Sequence, residues 1–167
     1  EARFINDAAL AGANGFIIPD LPPEEAAGFD IVCCKHGLGI YYLLAPNSTE
    51  DRIRKVAKSA RGFTYLVSLT GVTGARGTLP PELETFVARV RRYISTPLAV
   101  GFGISTADQV QEVARIAQGV IVGSKLITIA RDADDPVTAC GAFVREMMES
   151  IQDLGKNPAS TPRPDSF

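Results

Sequence analysis

No stretch of this chain approaches the roughly 18 apolar residues that a membrane span requires, and no block of like charge occurs along it. With a formal net charge of −2, the sequence lacks the basic face expected of a nucleic-acid or anionic-membrane partner. Cysteine is scarce and unpaired in spacing. Cys33, Cys34 and Cys140 form neither a CxxC nor a metal-ligand pattern, so they read as free thiols acting as small hydrophobes in a cytoplasmic setting. The opening Glu1-Ala2-Arg3-Phe4 has no initiator Met, basic region or apolar core of a signal peptide. It reads as the middle of a helix, and the chain is expected to be a fragment.

What is present is an ordinary globular balance, 46% hydrophobic and 22% charged over 167 residues. Short apolar runs recur at Gly15–Ile18, Ile40–Ala45, Phe63–Val67, Leu98–Phe102 and Gly119–Val122. They are continuously apolar rather than alternating, as parallel strands buried on both faces should be.

Helical periods fill the gaps. Ser48 and Thr49 can cap a helix striped by Ile53, Val56, Ala57 and Ala60. Pro80 and Pro81 open one striped by Leu83, Phe86, Val87, Val90 and Ile94. Ser105 and Thr106 precede Val110, Val113, Ala114 and Ala117. Pro136 starts a helix striped by Cys140, Phe143, Val144, Met147 and Ile151. A helix from Phe4 to Ala11 stops at Gly12. Residues 1–154 make one folded unit, and 155–167 are a polar, Pro-rich tail or linker. The cadence fits a five-stranded doubly wound sheet or part of an eight-stranded barrel. Length favours the first and chemistry the second.

That chemistry lies at the ends of the runs. Gly101-Phe102-Gly103 and Gly123-Ser124 each end a strand and start a helix, where glycine lets an anion approach closely and unpaired N–H groups face it. Two such loops in succession are the barrel's habitual phosphate site. Their spacing is not the dinucleotide fingerprint. The long loop Thr70–Thr78 reads as a functional lid. Asp20 ends the first run, and its reading as a helix cap is preferred to an acid–base role. His36, the single histidine, decorates a helix C-terminus.

Taken together, these segments resemble the α subunit of tryptophan synthase. Gly15-Phe16-Ile17-Ile18-Pro19-Asp20-Leu21-Pro22-Pro23-Glu24-Glu25 is similar to its fourth strand, and Leu43-Leu44-Ala45-Pro46-Asn47-Ser48-Thr49 to its fifth. Phe63 to Arg76 is similar to its sixth strand and mobile loop, and Gly101-Phe102-Gly103-Ile104-Ser105 with Val122-Gly123-Ser124 to its phosphate loops. The resemblance runs from about Phe4 to Leu154.

It implies a (β/α)8 TIM barrel, of which this chain covers about strands four to eight. It also implies cleavage of indole-3-glycerol phosphate to indole and glyceraldehyde 3-phosphate in tryptophan biosynthesis. Gly74, Gly103, Gly123 and Ser124 would hold the phosphate, Tyr65 and Phe102 would line the indole pocket, and Thr73 would close over it. No cofactor is implied in this domain; pyridoxal phosphate would belong to a β subunit, or to a β domain fused through the tail. The family's acid–base Glu and Asp lie in a segment that nothing here resembles, so no catalytic residue is assigned. Another phosphate-binding barrel enzyme fits less well, since an epimerase needs metal ligands and a synthase a strand-borne lysine. A non-catalytic remnant that binds a phosphate ester or the β subunit is the alternative. A barrel opened between strands eight and four would expose two edges and half its interior. The chain alone is therefore expected to be marginally stable, to aggregate or dimerise, and to be inactive.

Overall fold

Strand order decides between the two architectures. The structure, a computed structural model, describes residues 2–68 and 79–155. In it β1 (Gly15–Phe16) pairs in parallel with β2 (Gly39–Ile40), while β3 (Leu43–Leu44), β4 (Thr64–Val67), β5 (Leu98–Gly101) and β6 (Gly119–Ile121) pair in parallel in chain order. A doubly wound sheet reverses its order at a switch point. Among the described residues there is no reversal, so the open-sheet alternative is excluded and the strands follow one another as barrel staves do.

The run read as one strand, Ile40–Ala45, is divided. Its first half bonds to β1 and its second to β4. The handover falls at Tyr41, whose N–H donates to Phe16 O at 2.9 Å, and at Tyr42, whose carbonyl accepts from Tyr65 N at 3.0 Å. One extended segment thus serves one neighbour and then the next, the stagger that tilted barrel strands require.

Helices α1 (Ala2–Leu10), α2 (Pro23–Lys35), α3 (Glu50–Ser59), α4 (Glu82–Arg91) and α5 (Ala107–Ala114) fill the intervals. Local chemistry sets their ends. Thr49 Oγ1 accepts from Arg52 N at 3.2 Å to start α3, with Glu50 and Asp51 in its first turn. Thr106 and Gln109 form a reciprocal capping box at the start of α5. The stripe Leu83, Phe86, Val87, Val90 and Ile94 is buried as its spacing requires. Cys33 is buried too, and burial raises its thiol above the ordinary range, which suits an inert packing role.

Two helices follow β6, α6 (Ser124–Asp132) and α7 (Pro136–Gly155). The helix start expected at Gly123-Ser124 opens α6, and the helix expected from Pro136 is a second, separate one. Within the α7 stripe Phe143 and Met147 are buried, but Val144 is half exposed because α5 and α6 pack on the other side of the helix. The segment from residue 156 lies outside the described residues.

The register sorts strand residues onto two faces. Thr64, Leu66, Leu98, Val100 and Leu44 point toward the helices and are buried. Leu43, Tyr65 and Val67 point the other way and are only partly covered. Neighbouring leucines of one strand therefore have different worth. Replacing Leu44 by Ala should cost about 2–5 kcal/mol in a urea melt, whereas Leu43→Ala should cost less than half as much. Equal losses would contradict this assignment of faces.

Candidate functional site

The C-terminal ends of the strands form one rim, and its chemistry concentrates where β5 and β6 run side by side. Gly101 pairs with Ile121 in register. The segments just beyond, Phe102-Gly103 and Val122-Gly123-Ser124, thus leave the ladder from adjacent strands at the same rung.

Glycine is required at the last rung of β5 by close approach. A Cβ on Gly101 would overlap the Tyr65 hydroxyl and lie 2.7 Å from its Cζ. The Tyr65 ring, rising from β4, thus reaches under the β5 turn and meets the Phe102 ring edge-on at 6.5 Å between centroids and 72°. Burial raises the Tyr65 phenol above its ordinary range. Phe102 remains 56% exposed. The two aromatics expected to line a planar ligand are therefore adjacent, one half sunk and one standing at the mouth.

Phe102 has φ 83° and Gly103 φ 76°. A bulky side chain in the left-handed region costs about 1–3 kcal/mol and persists only where the surroundings impose it. The Ser68 hydroxyl donates to the Phe102 carbonyl, and Ser68 N donates to Gly101 O at 2.9 Å. Sequence spacing gave no sign of Ser68. It lies 34 residues from its partner, and only the pairing of β4 with β5 brings the two together.

The helices after these turns differ. The start of α5 is satisfied by its own residues: Gln109 Oε1 accepts from Ser105 N at 2.8 Å and from Thr106 N at 3.3 Å. The start of α6 has Gly123 at its N-cap and no side-chain cap. Its leading N–H groups therefore lack the side-chain acceptor that α5 carries, and that end of the dipole favours an anion. A Cβ at Gly123 would meet nothing within 4 Å, and Gly123 and Ser124 are exposed. The 102–103 turn and the α6 start are thus left without side-chain caps, while the α5 start, also expected to face an anion, is closed by its own residues.

Asp20 does not cap α2. The N-cap is Pro22 and makes no side-chain cap bond, since Pro23 at the first helical position has no N–H to satisfy and Glu24 and Glu25 complement the dipole. His36 is the C-cap of α2, where it was expected. Thr73 and Gly74 lie outside the described residues. Among the described residues no three His, Cys, Asp or Glu side chains are grouped to hold a metal ion, and no helix is long and apolar enough to cross a membrane.

The family model for the tryptophan synthase alpha chain matches residues 1–154. The tryptophan synthase alpha chain of Dehalococcoides mccartyi is 48% identical over 149 residues, covering 89% of this chain and 58% of the relative. The tryptophan synthase of Saccharomyces cerevisiae is 46% identical over 136 residues, 81% of this chain but 19% of that protein. The crystal structure of the alpha chain from Legionella pneumophila subsp. pneumophila superposes with a TM-score of 0.82 at 37% identity, covering 93% of this chain and 58% of that one. The chain thus spans somewhat over half the length of the alpha chains it matches.

The raised Tyr65 phenol has a consequence for stability. The folded state keeps a proton that the unfolded chain releases near pH 10, so stability is unaffected below about pH 10 and declines as pH climbs toward the raised folded value. Urea melts from about pH 8 to 11 should show that decline, and Tyr65→Phe should flatten part of it, leaving the share of Tyr42, whose phenol burial also raises. An unchanged slope in the phenylalanine variant would place the decline elsewhere.

Proposed function

The chain belongs to the tryptophan synthase alpha chain family and forms part of its (β/α)8 barrel, and from that membership we propose that it is the phosphate- and indole-holding portion of a lyase acting on indole-3-glycerol phosphate. The observation that carries the reading is the juxtaposition of the left-handed 102–103 turn with the uncapped start of α6. Gly103, Gly123 and Ser124 offer N–H and hydroxyl donors to the phosphate, supported by the α6 dipole. Tyr65 and Phe102 flank the indole ring. Thr73 and Gly74, on the loop after β4, complete the site by resemblance.

The reaction is a retro-aldol cleavage. The bond between indole C3 and the glycerol carbon breaks, a proton is delivered to C3, and the proton of the hydroxyl on that carbon is removed as its oxygen becomes the aldehyde of glyceraldehyde 3-phosphate. This chain's part is to anchor the phosphate and hold the ring so that both proton transfers are aligned. The acid–base carboxylates belong to the family segment that this sequence does not resemble. Asp20, exposed beyond β1, lies on a different strand and does not replace them. Indole would pass to a cytoplasmic β partner, as a separate subunit or a fused domain, where pyridoxal phosphate supports condensation with serine.

A second reading is a remnant that binds a phosphate ester or the β partner without turnover. One experiment separates the two. The purified chain should release no indole from indole-3-glycerol phosphate. Joining the upstream β/α units of the Dehalococcoides mccartyi relative ahead of Glu1 should restore release if this chain carries a working phosphate and indole site. Gly123→Asp in the joined protein should lower kcat/KM on the order of a hundredfold or more, since a carboxylate would face the phosphate. Indole released by the chain alone would overturn the assignment of the acid–base pair. A joined protein that folds but stays inactive would favour the remnant.

A further inference from the structure

Ser68 directly follows β4 and is 2% exposed, and its hydroxyl reaches across to the Phe102 carbonyl beyond β5. Among the described residues Phe102 is the one non-glycine with positive φ, and it stands immediately before Gly103. The peptide between them is planar and trans, so its C=O and N–H point in opposite directions. A carbonyl drawn toward β4 therefore sends the Gly103 N–H away from β4, on the side where Phe102 and Gly103 are exposed. That N–H has no acceptor among the described residues. Released from Ser68, a phenylalanine relaxes toward the extended region, and the peptide turns with it.

We propose that Ser68 is a positioning residue of the anion site, holding the 102–103 peptide in the one orientation that presents the Gly103 N–H to a bound phosphate. The inference rests on the phosphate reading above and adds to it a residue that touches no ligand. A merely structural serine would only satisfy a buried polar group, and its loss would lower stability without altering how the turn meets an anion.

The test is a titration of the isotope-labelled chain, joined to the upstream β/α units as above, with inorganic phosphate, following the Gly103 and Gly123 amide resonances. The Phe102 Cα and Cβ shifts are recorded without phosphate as a separate report on its φ. In the unmodified chain both amides should shift saturably. In Ser68→Ala the Gly103 response should be lost, the apparent affinity should fall about fivefold to tenfold, and the Phe102 shifts should move toward extended values. Gly123 should still respond at saturation. Adding Phe102→Gly to Ser68→Ala should recover most of the affinity, because glycine holds positive φ without crowding. Ser68→Cys, a weaker donor of similar volume, should fall between the two and gives the same readout should the alanine variant fail to fold. An unchanged Gly103 response with Phe102 still left-handed in a folded Ser68→Ala chain would overturn the proposal. Silence of both amides in the unmodified chain would overturn the phosphate reading instead, and the Phe102 shifts would still decide whether Ser68 holds the turn.

Discussion

A parallel strand has two faces, and helices that cross over on one side can hide only one of them. Everything else in this structure follows from that constraint. On the helix side, Leu44, Leu66, Leu98 and Val100 are sealed. On the other side, Leu43, Tyr65 and Val67 are apolar or aromatic yet partly open. In a closed barrel that second face fills with side chains from all the strands. Here the arc of staves, with β1 and β6 as its outer strands, presents the same face as the wall of an open bowl.

The rim of the bowl inherits its order from the same ladder. The rung between Gly101 and Ile121 puts two glycine-bearing turns next to each other, and the space under Gly101 admits the Tyr65 hydroxyl. The helices that follow then divide the work. The side chains of Thr106 and Gln109 close the α5 start, and the α6 start at Gly123 carries no such cap. On the proposed reading, an anion between the turns would meet the N–H of the 102–103 turn and the uncapped start of α6. The left-handed turn at Phe102 accepts a bond from Ser68, the residue just past β4.

Much of the fold was legible because it is written in short-range terms. The apolar runs, the stripe from Leu83 to Ile94, the Thr49 and Thr106 caps and the stop at Gly12 all involve residues within a few turns of one another. The turns of the rim were legible to the same extent, since Gly103, Gly123 and Ser124 follow the ends of apolar runs, where glycine suits a tight turn or the close approach of an anion. The expectation for Asp20 failed because a proline-led helix start needs no side-chain cap. The expectation for Val144 failed because spacing alone does not say which side of a helix its neighbours will take. The start of α6 was legible at Gly123-Ser124, but its extent was not, because a short helix holding the β-branched Ile127, Thr128 and Ile129 blurs the helical period.

By itself, then, the sequence determined the alternation of strand and helix, the caps, the kinship and the glycines of the rim, all encoded in neighbours along the chain or in motifs carried whole. Only the tertiary structure decided the chain-order pairing, the stagger that splits Gly39–Leu44 between two neighbours, the closure of one helix start and the openness of the other, and the reach of Ser68 to Phe102. The physical reason is separation. Those features join groups tens of residues apart, and their energies exist only once the ladder has set the register.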